Sequence, residues 1–346
     1  MKFSKCLNPS NFVAATDGKM TKFYRCDCFV SHNVFLANYR LHVKYQNERQ
    51  FWEDYEGVLI ERGMEDRGKV LDVVKSEVQR RLNLDENVTK NIEHAKKNYQ
   101  PLHPHIFSYK RDWFEPKFLE FAEVCEDGLL NQSQIVQRYL DTIGTEIYTI
   151  KALKPQFCAQ MVQELDNFNN SILQRSRPNT MNSSGLIVEE FGLLDFVNQM
   201  ISELLSPISK VLFPEWYGSG IDSHKSFSLM YALGKDTELA YHYDNAEITF
   251  NICLGNKFSG AEVYFTHMTG EEDEEEYWEA DHVPGVVMFH RARHLHGTLP
   301  LLSGSRYNLL TWLRSSSVRN KLCPICKSPP KLIPSLHMGD GFTAPS

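Results

Sequence analysis

Short segments in which apolar and polar residues alternate dominate the second half of this sequence. The clearest is EITFNICL, residues 247–254, where Ile248, Phe250 and Ile252 alternate with Thr249 and Asn251. Residues two apart in an extended chain share a face, so this segment predicts a strand with one apolar and one polar face. Similar segments recur along the chain: SFSLMYAL, AEVYF, GVVMFH and RYNLLTWL. Many short, evenly spaced strands favour a barrel or a double-sheet jelly roll.

Helical patterns precede these strands. An apolar stripe at helical spacing begins near Pro155 and includes Ile172, and a second helix is predicted at about 193–206. We expect both helices to pack outside the sheets, so the predicted fold class is α+β.

The sequence divides into three predicted regions. Residues 1–145 form a mixed, mostly helical N-terminal region, in which one helix carries Val70, Val74 and Leu82, and QSQIVQRYLDTIG predicts another that ends at Gly144. Residues 146–320 form the strand-rich domain. Residues 321–346 form a C-terminal tail that contains CPIC.

Composition limits the classes of function. The net charge is 37 − 44 = −7, which does not indicate a nucleic-acid binder, although the acidic run EEDEEE at 271–276 supplies much of the excess. We expect that run to be a solvated loop, with substrate selection or contact with a basic partner as the alternative. We find neither a signal-peptide pattern nor a membrane span, so we expect a cytoplasmic or nuclear protein with reduced cysteines.

A metal site is predicted around His242 and Asp244. These residues are two apart just before the strand EITFNICL, so their side chains leave the chain on one face. The segment VVMFHRARHLHGTLP adds His290, His294 and His296 as candidates for a third ligand. Two histidines and one carboxylate suit non-haem Fe(II) with three open positions, and the same set could also hold a catalytic zinc.

Arg306 favours the iron site over the zinc site. It opens the strand RYNLLTWL, ten residues after His296, and shares a face with Asn308 and Trp312. A buried arginine needs a partner, and its planar fork suits a carboxylate. A small diacid could chelate iron at one end and meet Arg306 at the other, as 2-oxoglutarate would.

The order His-x-Asp, distal His, then Arg ten residues on resembles the Fe(II)/2-oxoglutarate-dependent dioxygenases of the prolyl/lysyl-hydroxylase type. FSGAEVYF, residues 258–265, is similar to the Gly-Gly-x-Thr-x-Phe turn and strand of that group. The stretches RPNTMNSSG, HYDNAEITFN and SVRNKLCPIC resemble one subgroup of these enzymes, and RCDCF and NYRLHVKY extend the resemblance into the N-terminal region.

The resemblance implies a double-stranded β-helix (jelly-roll) oxygenase core with flanking helices. It also implies that His242, Asp244 and His296 are the catalytic iron ligands, and that Arg306 and Tyr231 hold the distal carboxylate of 2-oxoglutarate. Strand parity adds further candidates for the cosubstrate pocket: Asn308, Thr249, Asn251 and Trp312.

The implied reaction uses O2 and couples decarboxylation of 2-oxoglutarate to succinate with hydroxylation of a C–H bond. L-Ascorbate often restores oxidised iron in this family. The resemblance implies a protein or peptide substrate, with lysine or proline as the side chain by analogy. The alternatives are an oxygenase that acts on a small molecule or a methylated group, and a catalytically silent scaffold on the same fold.

Two cysteine pairs lie near the opposite ends of the chain. Cys26 and Cys28 form one pair, and Cys323 and Cys326 in CPIC form the other. Four thiolates could bind one structural zinc and tie the termini together, but the usual signature has both pairs close in sequence. Unrelated reduced thiols are the alternative.

Overall fold

Two antiparallel sheets, with helices packed against the larger one, form the centre of the computed structural model, which describes residues 23–255, 257–268, 276–337 and 341–343. In chain order the strands are β1 (Phe23–Cys26), β2 (Val34–Leu36), β3 (Leu41–Val43), β4 (Asp141–Gly144), β5 (Ile147–Lys151), β6 (Gly185–Ile187), β7 (Ser223–Ala232), β8 (Leu239–His242), β9 (Ile248–Gly255), β10 (Phe258–Gly260), β11 (Val263–Met268), β12 (Trp278–Ala280), β13 (Val286–Arg291), β14 (His294–Thr298), β15 (Leu301–Arg314), β16 (Leu332–Pro334) and β17 (Phe342–Thr343).

The helices fall mainly before the long strands. They are α1 (Cys28–Ser31), α2 (Glu48–Glu61), α3 (Arg67–Leu82), α4 (Leu84–Asn98), α5 (Pro116–Asp127), α6 (Gln132–Tyr139), α7 (Pro155–Asn169), α8 (Val188–Phe191), α9 (Leu194–Met200), α10 (Ser206–Leu212), α11 (Pro214–Tyr217) and α12 (Ser316–Arg319). A π-helical turn, Ile201–Leu205, joins α9 to α10.

The larger sheet has the strand order β4-β5-β13-β9-β15-β7-β6, with β10 also paired to β15. The smaller sheet has the order β12-β11-β14-β8. A sheet-rich core with flanking helices, and hence the predicted α+β class, is therefore confirmed.

The alternation predicted for EITFNICL decides which face of β9 the helices cover. Ile248, Phe250 and Ile252 belong to the main apolar core, together with residues of α5, α7, α9 and α10. Thr249 and Asn251 lie on the opposite face of the strand. The larger sheet thus buries its apolar face against the helices, and its polar residues, which include the predicted pocket residues Thr249 and Asn251, lie on the other face.

Three predicted helix ends differ from the structure. The helix that begins at Pro155 ends at Asn169, so Ile172 lies outside the apolar stripe and is 97% exposed. The helix predicted for 132–144 ends at Tyr139, because residues 141–144 pair with β5 instead. The helix predicted for 193–206 continues through the π-turn to Leu212, since Ile208 and Leu212 extend its buried face.

The N-terminal region has its own small core. The β2–β3 hairpin packs with α2 and α3 around Val34, Phe51 and Val74, whereas Leu82 at the end of α3 is exposed. The β4–β5 hairpin crosses residue 145, where the boundary to the strand-rich domain was predicted.

Among the described residues, no helix is both long enough and apolar enough to cross a lipid bilayer.

The two ends of the described chain meet in one small sheet. β1 pairs with β16 on one side and with β17 on the other. The predicted C-terminal tail is therefore held against the N-terminal strand. The acidic run 271–276 lies outside the described residues except for its last position.

Candidate active site

Strand register brings the two predicted histidine ligands together. β8 and β14 pair in the smaller sheet with His242 opposite His296, and the ring centroids of the two histidines are 4.4 Å apart. The turn after β8 places Asp244 beside these two histidines, and the amide N–H of Asp244 donates to the carbonyl of Ala292. The Nε2 atoms of His242 and His296 lie 3.6 and 3.8 Å from the two carboxylate oxygens of Asp244.

Backbone carbonyls fix the orientation of both imidazoles. Nδ1 of His242 is 2.8 Å from the carbonyl of Ala240, and Nδ1 of His296 is 2.9 Å from the carbonyl of His294. A carbonyl only accepts, so each Nδ1 donates to its carbonyl and each Nε2 faces Asp244. Burial and the neighbouring His242 lower the pKa of His296 to about 4, whereas the adjacent Asp244 acts in the opposite direction.

Asp244 is a buried carboxylate that remains ionised. Burial alone would raise its pKa, but the nearby histidines outweigh burial and hold the pKa well below the usual value. The Thr249 hydroxyl donates a 2.6 Å hydrogen bond to the Oδ2 atom of Asp244. Thr249, predicted as a pocket residue, therefore orients the carboxylate.

Arg306 lies within the core, with 1% of its surface exposed. It stands opposite Tyr231 in the β15–β7 register, and its guanidinium carbon is 4.6 Å from the centroid of the tyrosine ring. Nη1 donates to the carbonyl of Ala261, whereas the buried Nε has no hydrogen-bond partner. A carboxylate beside the guanidinium would satisfy that buried donor.

Polar groups continue from Arg306 along β15 and β9. The Asn308 amide donates to Asn251 at 2.7 Å and to Nδ1 of His282 at 3.0 Å, while its own Oδ1 is buried without a partner. His282 in turn reaches the carbonyl of Asn251. His282 was not predicted as a site residue, because it lies in a short connection with no strand parity to indicate the direction of its side chain.

Two other histidines of the same segment are buried around His296. The ring of His290 lies 4.9 Å from the ring of His296, and His294 packs edge-on against Phe265. Only His296 belongs to the cluster with His242 and Asp244.

Trp312, the last predicted pocket residue, lies at the wall of a separate cavity of about 140 Å³. It stands opposite Thr249 in the β15–β9 register and packs edge-on against Phe227. Asn245, which follows Asp244 directly, lines the same cavity. The cavity therefore lies between the strands and the N-terminal helices, and Asp244 itself does not line it.

The geometry of the cluster fits a single metal ion. The ligand atoms of His242, Asp244 and His296 all lie within 4.8 Å of one another. Two ligands that share an ion at about 2.1 Å can be at most about 4.2 Å apart, so the measured separations of 3.6 and 3.8 Å suit a common ion. Two imidazoles with one carboxylate are the donor set of non-haem Fe(II) oxygenases.

Comparison with known proteins places this geometry in a family. Residues 95–218 match the model of the OGFOD2-like domain. The chain is 38% identical over 326 residues to 2-oxoglutarate and iron-dependent oxygenase domain-containing protein 2 of Xenopus tropicalis, an alignment that covers 93% of each chain. The human protein of that name is 36% identical over 95% of this chain and 96% of its own length.

The chain belongs to this oxygenase family. The family predicted from the sequence, and with it the prediction of a dioxygenase, is thereby confirmed. Among solved structures, a Pseudomonas putida prolyl-4-hydroxylase aligns at 14% identity over 56% of this chain and 93% of that chain, with a TM-score of 0.36.

Proposed function

We propose that the chain binds Fe(II) through His242, Asp244 and His296 and binds 2-oxoglutarate through Arg306. In the proposed reaction, one O2 converts 2-oxoglutarate to succinate and CO2 and places a hydroxyl on a substrate C–H bond. The main support for this proposal is that the cluster of His242, Asp244 and His296 lies in the same pair of sheets as Arg306, a buried arginine whose Nε has no hydrogen-bond partner. The names of the family members also include both iron and 2-oxoglutarate.

Each residue has a distinct part in this proposal. Bound iron would supply the redox chemistry and the open coordination positions. The carbonyl contacts of His242 and His296 hold their Nε2 atoms inward, and Thr249 holds the carboxylate of Asp244. Arg306 would form two hydrogen bonds with the distal carboxylate of 2-oxoglutarate, above the Tyr231 ring.

We also interpret the two sheets as a double-stranded β-helix. The larger sheet contains the order β13-β9-β15-β7 and the smaller sheet the order β12-β11-β14-β8, so consecutive strands alternate between the two sheets from β7 to β9 and again from β12 to β15. Such alternation supports the jelly-roll assignment. Under this proposal residues 146–320 are the catalytic domain.

A protein side chain is the proposed substrate, and the cavity beside Trp312 is where we propose that it enters. Six basic residues line this cavity against two acidic ones: Arg25, Arg80, Arg81, Arg177, Lys225 and Arg314 against Asp85 and Glu189. Such a lining disfavours a lysine ammonium and favours a neutral side chain in an acidic segment. Of the two side chains suggested by analogy, proline therefore fits better than lysine.

The activity can be tested without knowing the substrate. Protein loaded anaerobically with Fe(II), then given 2-oxoglutarate, ascorbate and O2, should release succinate at a slow uncoupled rate. Asp244→Ala and His242→Ala should abolish this release, whereas His105→Ala, which alters an exposed histidine far from the cluster in sequence, should not. Equal succinate release by wild type and both cluster variants would refute the iron site and favour a silent scaffold.

The substrate class requires a second experiment. Peptide libraries that contain proline or lysine in acidic or basic contexts should be incubated with active enzyme and analysed for a mass gain of one oxygen. We expect hydroxylation of proline in acidic peptides. Conversion of a methylated peptide or a small metabolite in place of these would instead support the alternative substrates. The proposed location of the enzyme is the cytoplasm or the nucleus.

A further inference from the structure

The four cysteines near the chain ends converge on one point. The Sγ atoms of Cys28 and Cys323 are 3.7 Å apart, and those of Cys26 and Cys326 are 4.0 Å apart. All four sulfur atoms lie within 4.8 Å of one another. From this geometry we propose that the protein binds one structural zinc ion through these four thiolates, independently of the iron site.

The sulfur separations fit zinc and do not fit disulfides. A disulfide needs an S–S distance of about 2.05 Å, and all four cysteines are free thiols in this structure. In a tetrahedral zinc site with Zn–S bonds of about 2.3 Å, neighbouring sulfur atoms lie about 3.8 Å apart. The two close pairs, at 3.7 and 4.0 Å, match that value.

The local backbone resembles a metal-binding turn. The amide of Lys327 donates to the carbonyl of Cys323, and the amide of Cys323 donates to the carbonyl of Ser328, so CPIC forms a closed turn. Lys327 adopts a left-handed conformation with φ of 56° directly after Cys326. The adjacent strand β1 presents Cys26 at its end, and Cys28 begins α1.

Charge and burial at the cluster also suit a thiolate centre. Four thiolates around Zn²⁺ carry a net charge of 2 − 4 = −2, which is costly to bury without nearby cations. Lys327 follows Cys326 directly and interacts electrostatically with Cys323 and Cys326, so it supplies a cation beside the cluster. Cys26, Cys28 and Cys323 are almost fully buried, and Phe342 closes the cluster on its apolar side.

This centre lies against the turn that carries Asp244. The ammonium of Lys327 is 5.0 Å from the ring of Tyr243, which stands between His242 and Asp244. Arg319 donates to the side chain of Asn245 at 3.0 Å and pairs with Glu247. We infer that zinc, by fixing CPIC against β1, also braces the turn 243–247.

Metal analysis of the full chain tests the zinc site. Wild type should contain one zinc per chain, and Asp244→Ala should contain the same amount because its four cysteines are intact. Cys323→Ser and Cys326→Ser should lose the zinc, whereas Cys158→Ser, which alters a buried cysteine in the main core, should retain it. Zinc that persists in both cluster variants, or that never binds to wild type supplied with zinc, would overturn the proposal.

Replacement of zinc by cobalt tests the same site in the wild-type protein, so the result does not depend on whether the cysteine variants fold. Wild-type protein in which Co²⁺ replaces zinc should show the intense visible and near-ultraviolet absorption of a tetrahedral thiolate centre, and the Asp244→Ala variant should show it equally. A spectrum without sulfur-to-metal bands in the folded protein would contradict the four-thiolate assignment whatever the activity of the iron site.

Amide hydrogen exchange tests the bracing of the iron turn. In protein prepared without iron, removal of zinc by a chelator should speed exchange at residues 243–247 and within β1, because the restraint from CPIC is lost. Exchange in β13, which lies between β5 and β9 inside the larger sheet, should change little. Unchanged exchange at 243–247 after confirmed zinc loss would refute the bracing role.

Discussion

At the scale of single residues, Arg306 is the side chain whose environment most constrains the chemistry of the site. Burial lowers the pKa of its guanidinium, yet arginine stays charged in proteins. Stacking on Tyr231 and Phe258 and one bond to Ala261 leave the buried Nε unpaired. A guanidinium held in this way is preorganised for a planar anion, and a flexible ammonium would not replace it.

Arg306→Lys should therefore raise the KM for 2-oxoglutarate by at least about tenfold. The variant keeps the positive charge but loses the second of two charge-assisted hydrogen bonds, each worth about 1.5–3 kcal/mol. Initial rates of succinate release at varied 2-oxoglutarate concentration measure this change. Arg138→Lys, at an exposed ion pair with Glu120, is the matched control. If both variants kept the wild-type KM, another residue would have to bind the cosubstrate.

At the scale of secondary-structure elements, the close approach of β8 to β14 sets the distance between the two histidine ligands. Gly297 follows His296 in β14, and a Cβ atom added there would lie 2.6 Å from the carbonyl of Leu239 in β8 and would also clash with the Tyr264 hydroxyl. Only glycine allows β8 and β11 to approach β14 this closely. The spacing of the ligands thus depends on a residue that binds nothing itself.

Gly297→Ala should lower the free energy of unfolding by about 1–3 kcal/mol through overpacking. Because the added methyl pushes β8 away from β14, the variant should also bind Fe(II) or Mn(II) more weakly. Urea denaturation and metal titration measure the two effects. Gly57→Ala supplies the contrast: no atom lies within 4 Å of its added Cβ in α2, so it should stabilise the protein by about 0.5–1 kcal/mol. Wild-type metal affinity in Gly297→Ala would contradict this account.

Element boundaries show where sequence patterns stop being informative. The alternation in EITFNICL and the apolar stripe from Pro155 predict β9 and α7 because burial acts on every second or every third to fourth residue. The end of α6 was predicted wrongly, because residues 141–144 pair with β5 in a hairpin, and a helical pattern extended to Gly144 does not reveal that competing pairing. Ile172 was likewise assigned by spacing, although α7 had already ended.

At the scale of the whole molecule, tertiary pairing decides which candidate residues meet. The sequence predicted that His242, Asp244 and one distal histidine would lie together, because side-chain parity and spacing constrain them. It did not predict His282 beside Asn308, or the cavity between the strands and the N-terminal helices, because neither depends on a local pattern. The meeting of the two cysteine pairs depends on the small sheet that joins the chain ends.

Buried histidines also link the stability of the whole fold to pH. His224 lies among Ser226 and Asn198, and His282 lies among Asn251 and Asn308. Burial, together with Arg314 near His224 and Arg306 near His282, lowers the pKa of each to about 3 from an ordinary value of 6.5. Both rings are therefore neutral in the folded protein over a pH range in which the unfolded chain binds protons.

The free energy of unfolding should consequently fall as the pH falls below 6.5. Between pH 6.5 and about 3 the unfolded state binds one more proton per histidine, so each of the two contributes a slope of about 1.4 kcal/mol per pH unit. Urea denaturation at several pH values measures the slope. His224→Gln keeps hydrogen-bonding groups but cannot titrate, so it should make the slope shallower by that amount, whereas His105→Gln, at an exposed position, should leave it unchanged. A slope unaltered in His224→Gln would mean that His224 is charged in the fold.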